Sequence, residues 1–390
     1  MGARAGRRAA IAGLGITEVG KVYGRDSKTF AADAVRLAAA DAGLAVTGID
    51  GLIVSSGVMR GISIGLQQTL GLTDLALLTE MQSYGATAGA MVTTACMAVE
   101  SGMAEVVACV FGDAPLTQGR RTGAAYGGGR SAPPGWRGMM AAAGISGANS
   151  MYALAARRHM LTYGTTSEQF AHIAVAQREW AVANPLAQMR TPMTIEDHQS
   201  SRWVAEPFRL FDCCLVSNGG VAVIVTTAER AATLRQPPVH VLGWGQSHPG
   251  HSLRRSEDFG LVTGAVRSGA TAFGMAGLSV RDVDVFELYD CYTFTVLVSL
   301  EDYGLCAKGE GGPFAASGAL GPAGSVKVNT GGGQLSGYYL WGMTPMSEGI
   351  IQARGQGGER QVDSHDVVLV SGNGGVLDHH STTLLSPHAP

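Results

Sequence analysis

Short apolar runs alternate with longer stretches of helical period along most of this chain. Residues 10–15 form an apolar and glycine run that reads as a buried strand. Residues 29–43 predict a helix, with Ala32, Val35, Leu37 and Ala38 on one side. Another strand follows at 51–55, and a long Ala-rich helix at 85–102. The strand at 106–111 holds no charged or strongly polar residue, as expected where both faces are covered. From about 115 to 207 the character changes. A Gly/Ala/Arg/Pro stretch at 123–138 precedes helical patterns at 149–163 and 167–184, which together read as an inserted loop domain. Regular structure resumes at 208 with a strand at 221–225, and Pro237-Pro238 marks a hinge. A second round then runs strand 239–244, helix 260–277, strand 283–288, helix 293–303, a Gly-rich loop, helix 344–354 and strand 366–371. The order echoes the first half, as if a β-α-β-α-β-β unit were present twice. The fold class is α/β, with layers of helix and sheet. The expected division is 1–114 plus 205–236, an insertion at 115–204, and 237–390.

Composition narrows the function. With 390 residues, 46% apolar, 15% charged and 56 Gly, the chain is long enough for a large core and too apolar to be disordered. A net charge of −3 without a basic stripe excludes a nucleic-acid partner. No apolar run reaches bilayer length, so no membrane association is expected. Arg4, Arg7 and Arg8 before the apolar residues 9–16 imitate a signal peptide, but Thr17 and Glu18 follow at once and no cleavage site appears. The six Cys lack metal-ligand spacing, and adjacent Cys213 and Cys214 do not readily pair. A reduced, cytoplasmic protein is expected.

Several familiar motifs fail on inspection. Gly13-Leu-Gly15 lacks the third glycine of a dinucleotide loop. Gly61-Ile-Ser-Ile-Gly65 matches a nucleophile elbow in spacing but follows a poor strand. Lys327, between Val326 and Val328, is the one candidate for a desolvated amine and reads better as an exposed strand residue. Asp378, His379 and His380 resemble a metal cluster only on paper, since adjacent histidines rarely converge on one ion; no metal is assigned.

The informative segments are Asn329-Thr-Gly-Gly-Gly-Gln-Leu-Ser-Gly-Tyr-Tyr-Leu-Trp-Gly-Met-Thr344 and Glu287-Leu-Tyr-Asp-Cys-Tyr-Thr293. The first resembles the last catalytic loop of the thiolase superfamily, with Tyr339 at the position of the histidine. The second resembles the His-Asp-Cys-Phe segment of the sterol-carrier type, with Tyr289 at the histidine. Gly102-Met-Ala-Glu105 resembles an anchor late in the nucleophile's helix. Counting back places Ala86, within Tyr84-Gly-Ala-Thr-Ala-Gly89, where the nucleophilic cysteine belongs; Cys96, about three turns on, reads as core. Pro207-Phe-Arg-Leu-Phe-Asp-Cys-Cys and Gly372-Asn-Gly-Gly375 are similar to further family segments, the latter without its catalytic cysteine. The resemblance implies a thiolase fold: duplicated halves in an α-β-α-β-α arrangement with an inserted loop domain. The losses argue against Claisen chemistry.

The same losses, and the ending Gly-Asn-Gly-Gly-Val-Leu-Asp378, are similar to a subgroup of thiolase-like aldolases that shorten steroid side chains. This resemblance implies retro-aldol cleavage of a bulky β-hydroxyacyl-CoA, a 17-hydroxy steroid side-chain thioester, to a ketone and propionyl-CoA. It implies no cofactor, since the CoA thioester is the substrate. A homodimer is implied, in complex with a small acyl-CoA-binding protein that has a zinc ribbon and an oligonucleotide-fold domain.

Such a reaction needs a base for the β-hydroxyl proton, a stabiliser for the thioester oxygen and an acid for the enolate carbon, but no acyl-enzyme. Tyr339 is the candidate base and Tyr289 the candidate acid, an order that the residues leave open. A phenol, with an ordinary pKa near 10, needs help from its neighbours in a base role. The competing reading is that both tyrosines only pack. Backbone N–H groups around Gly374 and Gly375 are candidates for the oxyanion site, with Asn329 organising the turn. Asp290 either orients a neighbour or caps the following helix. Cys291 also occurs in true thiolases and does not discriminate. Tyr338 replaces Tyr339 if the loop slips by one, and Asp378 completes the candidate binding residues. Trp136, Met139 and Met140 either line a pocket or pack in the core. Two other functions stay open: a degenerate condensing enzyme acylating another cysteine, and a non-catalytic lipid or acyl-CoA carrier.

Overall fold

The computed structural model describes residues 8–123, 136–145, 147–250 and 257–389. Most of the Gly-rich stretch 123–138, and the side chain of Trp136, lie outside them.

The first half runs β1 (Ala9–Ile16), α1 (Ser27–Ala42), β2 (Gly51–Ser56), α2 (Leu66–Leu70), β3 (Leu77–Glu80), α3 (Thr87–Ser101) and β4 (Val106–Asp113). Between β4 and the next core strand come α4 (Trp136–Ala142), α5 (Gly147–Tyr163), α6 (Ser167–Val182), α7 (Ile195–Ser200) and a small ribbon of β5 (Trp203–Ala205) and β6 (Phe208–Arg209). Strand β7 (Gly219–Thr227) and α8 (Ala228–Ala231) close this half. The second half runs β8 (Val239–Ser247), α9 (Ala265–Ala276), β9 (Val285–Glu287), α10 (Thr293–Asp302), α11 (Gly311–Ala316), β10 (Lys327–Val328), α12 (Met343–Ala353), β11 (Val368–Gly374) and β12 (His379–Ser386).

The duplication shows in the sheet. Strand order is β3-β2-β4-β7-β1 in one half and β10-β9-β11-β12-β8 in the other. In each, the second-to-last strand in the list is antiparallel to both of its neighbours and the remaining pairs are parallel. The halves join where β1 pairs with β8, through Ala10↔His240 and Ile11↔Val239. Helices α3 and α12 each pack against strands of both halves, and α1 and α9 each cover one half from outside. The result is the α-β-α-β-α layering, with one hydrogen-bonded sheet folded around two central helices.

The outer layers are held close by matching glycines. A Cβ on Gly13 or Gly15 would overlap the Ala38 and Ala34 carbonyls of α1. A Cβ on Gly243 or Gly245 would overlap the Ala272 and Ser268 carbonyls of α9. Gly13-Leu-Gly15 thus serves helix-on-strand packing. The Asp26 carboxylate caps α1 by accepting from Thr29 N–H at 2.8 Å, and Gly43 ends it with φ 76°. Leu37, expected on the apolar side of this helix, is 45% exposed; the buried stripe is Phe30, Ala31, Ala34, Val35 and Ala38.

One strand-level difference has a physical cause. The closing strand β12 reads His-His-Ser-Thr-Thr-Leu-Leu-Ser, without apolar alternation, because polar side chains also find partners in the interior: Thr382 Oγ1 bonds Ser268 Oγ at 2.8 Å and Tyr303 Oη at 2.7 Å. His379 and His380 point to opposite faces of that strand. His380 bonds Ser371 Oγ at 2.9 Å, and burial pushes its pKa down to about 3. Lys327 lies on β10, its ammonium donating to the Pro322 and Gly324 carbonyls. Ser63, within the apparent nucleophile elbow, is exposed ahead of the short α2 and accepts from Gly65 N–H.

Candidate active site

The N-termini of the two central helices meet. A Cβ on Gly342, at the start of α12, would overlap the Gly85 carbonyl just ahead of α3. A Cβ on Gly85 would overlap both the Tyr289 ring and the Asn373 carbonyl, and one on Gly374 would overlap Ser83 and Tyr84. Four segments therefore reach one point: residues 83–86, Tyr289 after β9, the loop into α12, and the end of β11. Ala86 is buried there, where a nucleophile on α3 would stand. Its methyl offers no lone pair.

Tyr289 Oη and Tyr339 Oη lie 3.3 Å apart, joined by a hydrogen bond. Tyr289 is buried and Tyr339 half-buried. Tyr339 N–H donates to Ser217 Oγ at 2.9 Å, and the same oxygen accepts from Gln188 Nε2 at 2.6 Å. Backbone N–H groups of Gln188 and Met189 donate to the Gly337 and Ser336 carbonyls, at 2.9 and 3.0 Å. The Arg178 guanidinium donates to Ser336 Oγ at 2.8 Å. Segment 184–191, after α6, thus clamps the loop that carries Tyr339.

Asp290 does not cap α10, whose N-cap position is Tyr292. Its carboxylate instead accepts from Gln334 N–H at 2.8 and 2.9 Å and from Leu335 N–H at 3.1 Å, holding the helical turn at 333–337. The residue is completely buried, so it ties the Tyr289 segment to the loop before α12 from inside. Burial pushes its pKa up, the two backbone donors pull it down, and the balance is about 7. Asn329, with φ 52°, accepts Leu288 N–H on Oδ1 at 2.6 Å, and its carbonyl accepts Gly332 N–H at 2.8 Å. It organises the turn at the end of β9.

Tyr338 turns away from the tyrosine pair. Its hydroxyl bonds Ser347 Oγ in the buried surroundings of Glu348, which forms an ion pair with Arg360 at 2.8 Å. Adjacent residues in extended backbone face opposite ways, and the structure brings Tyr339, not Tyr338, to Tyr289. Cys291 is buried against Tyr152 and Thr295, and burial pushes its thiol up to about 12. Asp378 N–H donates to the Gly374 carbonyl at 3.0 Å, closing a turn through Gly375. Met139 is 69% exposed, so it packs in no core of this chain.

The backbone around the site is strained. Among the described residues seven non-glycines have positive φ, and five border these loops: Tyr84, Asn329, Trp341, Val376 and Leu377. Val376 and Leu377 follow Gly375 in the left-handed region, a run that costs roughly 1–2 kcal/mol per non-glycine residue. Strain of this kind concentrates at functional loops.

Some residues at this point carried no signal by composition alone. Gly85 matters through what touches it. Tyr152 donates from Oη to Asn373 Oδ1 at 3.4 Å and lies on Tyr292, ring centres 4.7 Å apart. Tyr84, half-exposed, faces the Trp341 and His379 rings at 5.9 and 6.1 Å. An open cleft of about 410 Å³ runs along the other side of α5, lined by Ile145, Ala153, Leu154, Arg157 and Ala205 among others.

Comparison with known proteins agrees with this geometry. Residues 245–387 match the family model described as thiolase C-terminal domain-like. A steroid side-chain-cleaving aldolase of Thermomonospora curvata is 37% identical over 382 residues, covering 94% of this chain and 95% of the relative. A 17-hydroxy-3-oxo-4-pregnene-20-carboxyl-CoA lyase of Mycobacterium tuberculosis is 36% identical, covering 94% and 97%. The solved structure of an Ltp2-ChsH2(DUF35) aldolase superposes with a TM-score of 0.86 at 34% identity, covering 97% of each chain. The chain therefore belongs to the thiolase superfamily, within its family of steroid side-chain-cleaving aldolases.

Proposed function

We propose that this chain is a lyase that cleaves a bulky β-hydroxyacyl-CoA by retro-aldol reaction, taking a 17-hydroxy steroid side-chain thioester to the 17-ketone and propionyl-CoA. The observation that carries it is the tyrosine pair, 3.3 Å between hydroxyls, beside an alanine at the nucleophile's place. One phenol takes the proton of the β-hydroxyl while giving its own, across their hydrogen bond, to the second phenol. The C–O bond becomes a carbonyl as the bond between the α- and β-carbons breaks. Its electron pair passes to the α-carbon and the thioester oxygen, and the enolate carbon then takes a proton from the second phenol. Each phenol gives one proton and takes one, so the pair ends as it began. We assign Tyr339, the more exposed, to the hydroxyl and Tyr289 to the carbon. Backbone N–H groups near Gly374 and Gly375 face the developing oxyanion. The sequence of proton transfers needs no cofactor.

The relatives' names support the substrate class, and the solved aldolase with a DUF35 partner supports a complex with a protein of that kind. An acyl-CoA-binding role for that partner and a homodimer of this chain are part of the same proposal. No helix among the described residues is long and apolar enough to cross a membrane. A cysteine-acylating enzyme is disfavoured by the thiols: burial raises the pKa of all six.

The test is turnover of the 17-hydroxy steroid thioester by the protein co-expressed with its acyl-CoA-binding partner. Release of 17-ketone and propionyl-CoA, lost in Tyr339→Phe, is the expected result. A folded complex that binds the thioester without product would favour a carrier role. Mass-tagged acyl-CoA that labels a cysteine would favour acyl transfer.

A further inference from the structure

Asn373 lies in β11 and is completely buried. Its backbone carbonyl and the Tyr289 ring press on Gly85 from the same side. Its side-chain oxygen accepts from Tyr152 Oη at 3.4 Å. Burial holds the Tyr152 phenol well above its ordinary pKa, with Cys291 and Tyr289 among the neighbours its charge would feel. Tyr152 stays protonated, and in the structure it donates to the oxygen end of the amide. The other end, Nδ2, is buried and has no hydrogen-bond partner. A buried donor left in this way destabilises the fold until something accepts from it. The residue stands beside Gly85, the glycine against which the Tyr289 ring also packs.

We propose that Asn373 Nδ2–H donates to the thioester carbonyl oxygen of the substrate and holds the enolate oxygen while the carbon–carbon bond breaks. The inference rests on the lyase reading above and assigns the side chain that completes its oxyanion site. No proton leaves the amide; it lowers the barrier by being in place where negative charge develops.

Two variants and one spectroscopic probe test it, all in the partner complex. Asn373→Asp keeps the shape and the acceptor toward Tyr152 but replaces the donor by a carboxyl oxygen. At pH 8 its kcat is expected to fall roughly 100- to 1,000-fold, the loss associated with one oxyanion donor. The probe is the isotope-edited infrared carbonyl band of the same steroid thioester lacking its β-hydroxyl. It is expected to be shifted from its solution position in the parent and to return toward that position in both variants. Asn373→Ala removes the unpartnered donor and also the acceptor of Tyr152, so its unfolding midpoint is expected to fall modestly while kcat falls as far as in Asn373→Asp. Variant rates within threefold of the parent would overturn the inference, as would a band still shifted in the variants. Loss of activity in Asn373→Ala with a parental rate in Asn373→Asp would assign the residue a packing role and also overturn it. A parent that neither binds the analogue nor cleaves the thioester would instead overturn the lyase reading itself.

Discussion

Helices α3 and α12 hold equivalent places in the two halves, and their N-termini face each other across Gly85 and Gly342. The α3 end presents the Ala86 methyl; the α12 end is entered by the loop bearing Tyr339. Both ends carry the partial positive charge of a helix start, which favours an anion. In the first half nothing at the helix start can become a covalent anion. In the second, a phenol reaches across to Tyr289. The difference shows how a duplicated scaffold can give up its nucleophile yet keep the electrostatics around it. The charge to be stabilised then belongs to the substrate's enolate rather than to a thiolate.

The comparison breaks most directly at the tyrosines. Tyr339→Phe and Tyr289→Phe are each expected to lower kcat by about 10²–10⁴, the range for one proton-transfer group, with unchanged circular dichroism. A phenylalanine variant at near-parental rate would leave that tyrosine a packing residue. A smaller effect is expected at the meeting point. Gly85→Ala would drive a methyl into the Tyr289 ring, costing about 1–3 kcal/mol of stability by overpacking and displacing the phenol. Turnover should fall in parallel, and denaturant titration together with kcat would show whether the two losses are linked. Unchanged values for both would mean that the halves are not interlocked there.

The Asp290 tie should appear in the pH dependence of stability. Its folded pKa, about 7, is raised from 3.8. The group's contribution is therefore fully present below about pH 4 and lost as pH rises through about 7, a change of up to a few kcal/mol by linkage. Asp290→Asn is expected to flatten that part of the fall in urea-unfolding free energy. An unaltered slope would show that Asp290 is not held near-neutral in the fold. The smallest effect is expected from Ala86→Cys. It restores a sulfur but no imidazole to activate it, so lyase turnover should fall no more than about tenfold and no thiolysis should appear on adding CoA. Acyl transfer gained by this one exchange would mean that α3 had lost only its nucleophile.

Most of the fold is legible because the local signals agree with the burial. The apolar run of β4 is buried throughout, and the Gly-x-Gly pairs of β1 and β8 mark the same packing in both halves. Strand β12 was hidden because its interior contacts are made by hydroxyls, which read as surface residues. Leu37 misled because a helical period does not say where the stripe ends. At the site, Tyr289, Tyr339 and Ala86 were found by alignment to a family pattern. For Asp290 the sequence leaves two readings, a neighbour's orienter or a helix cap, because it shows only local partners; the actual ones are 44 and 45 residues away. Asn373 stood in a quoted motif without distinction, since an orphaned amide is a fact of packing.

Ser217 accepts hydrogen bonds from both Tyr339 N–H and Gln188 Nε2. One small hydroxyl thus joins the backbone of Tyr339 to the segment that follows α6. Force applied to that segment, by a docking protein or by heat, would be delivered to the phenol as a change in its distance from Tyr289. The insertion between the core strands then works as a tensioner, and the rate of bond cleavage would report how firmly it is held.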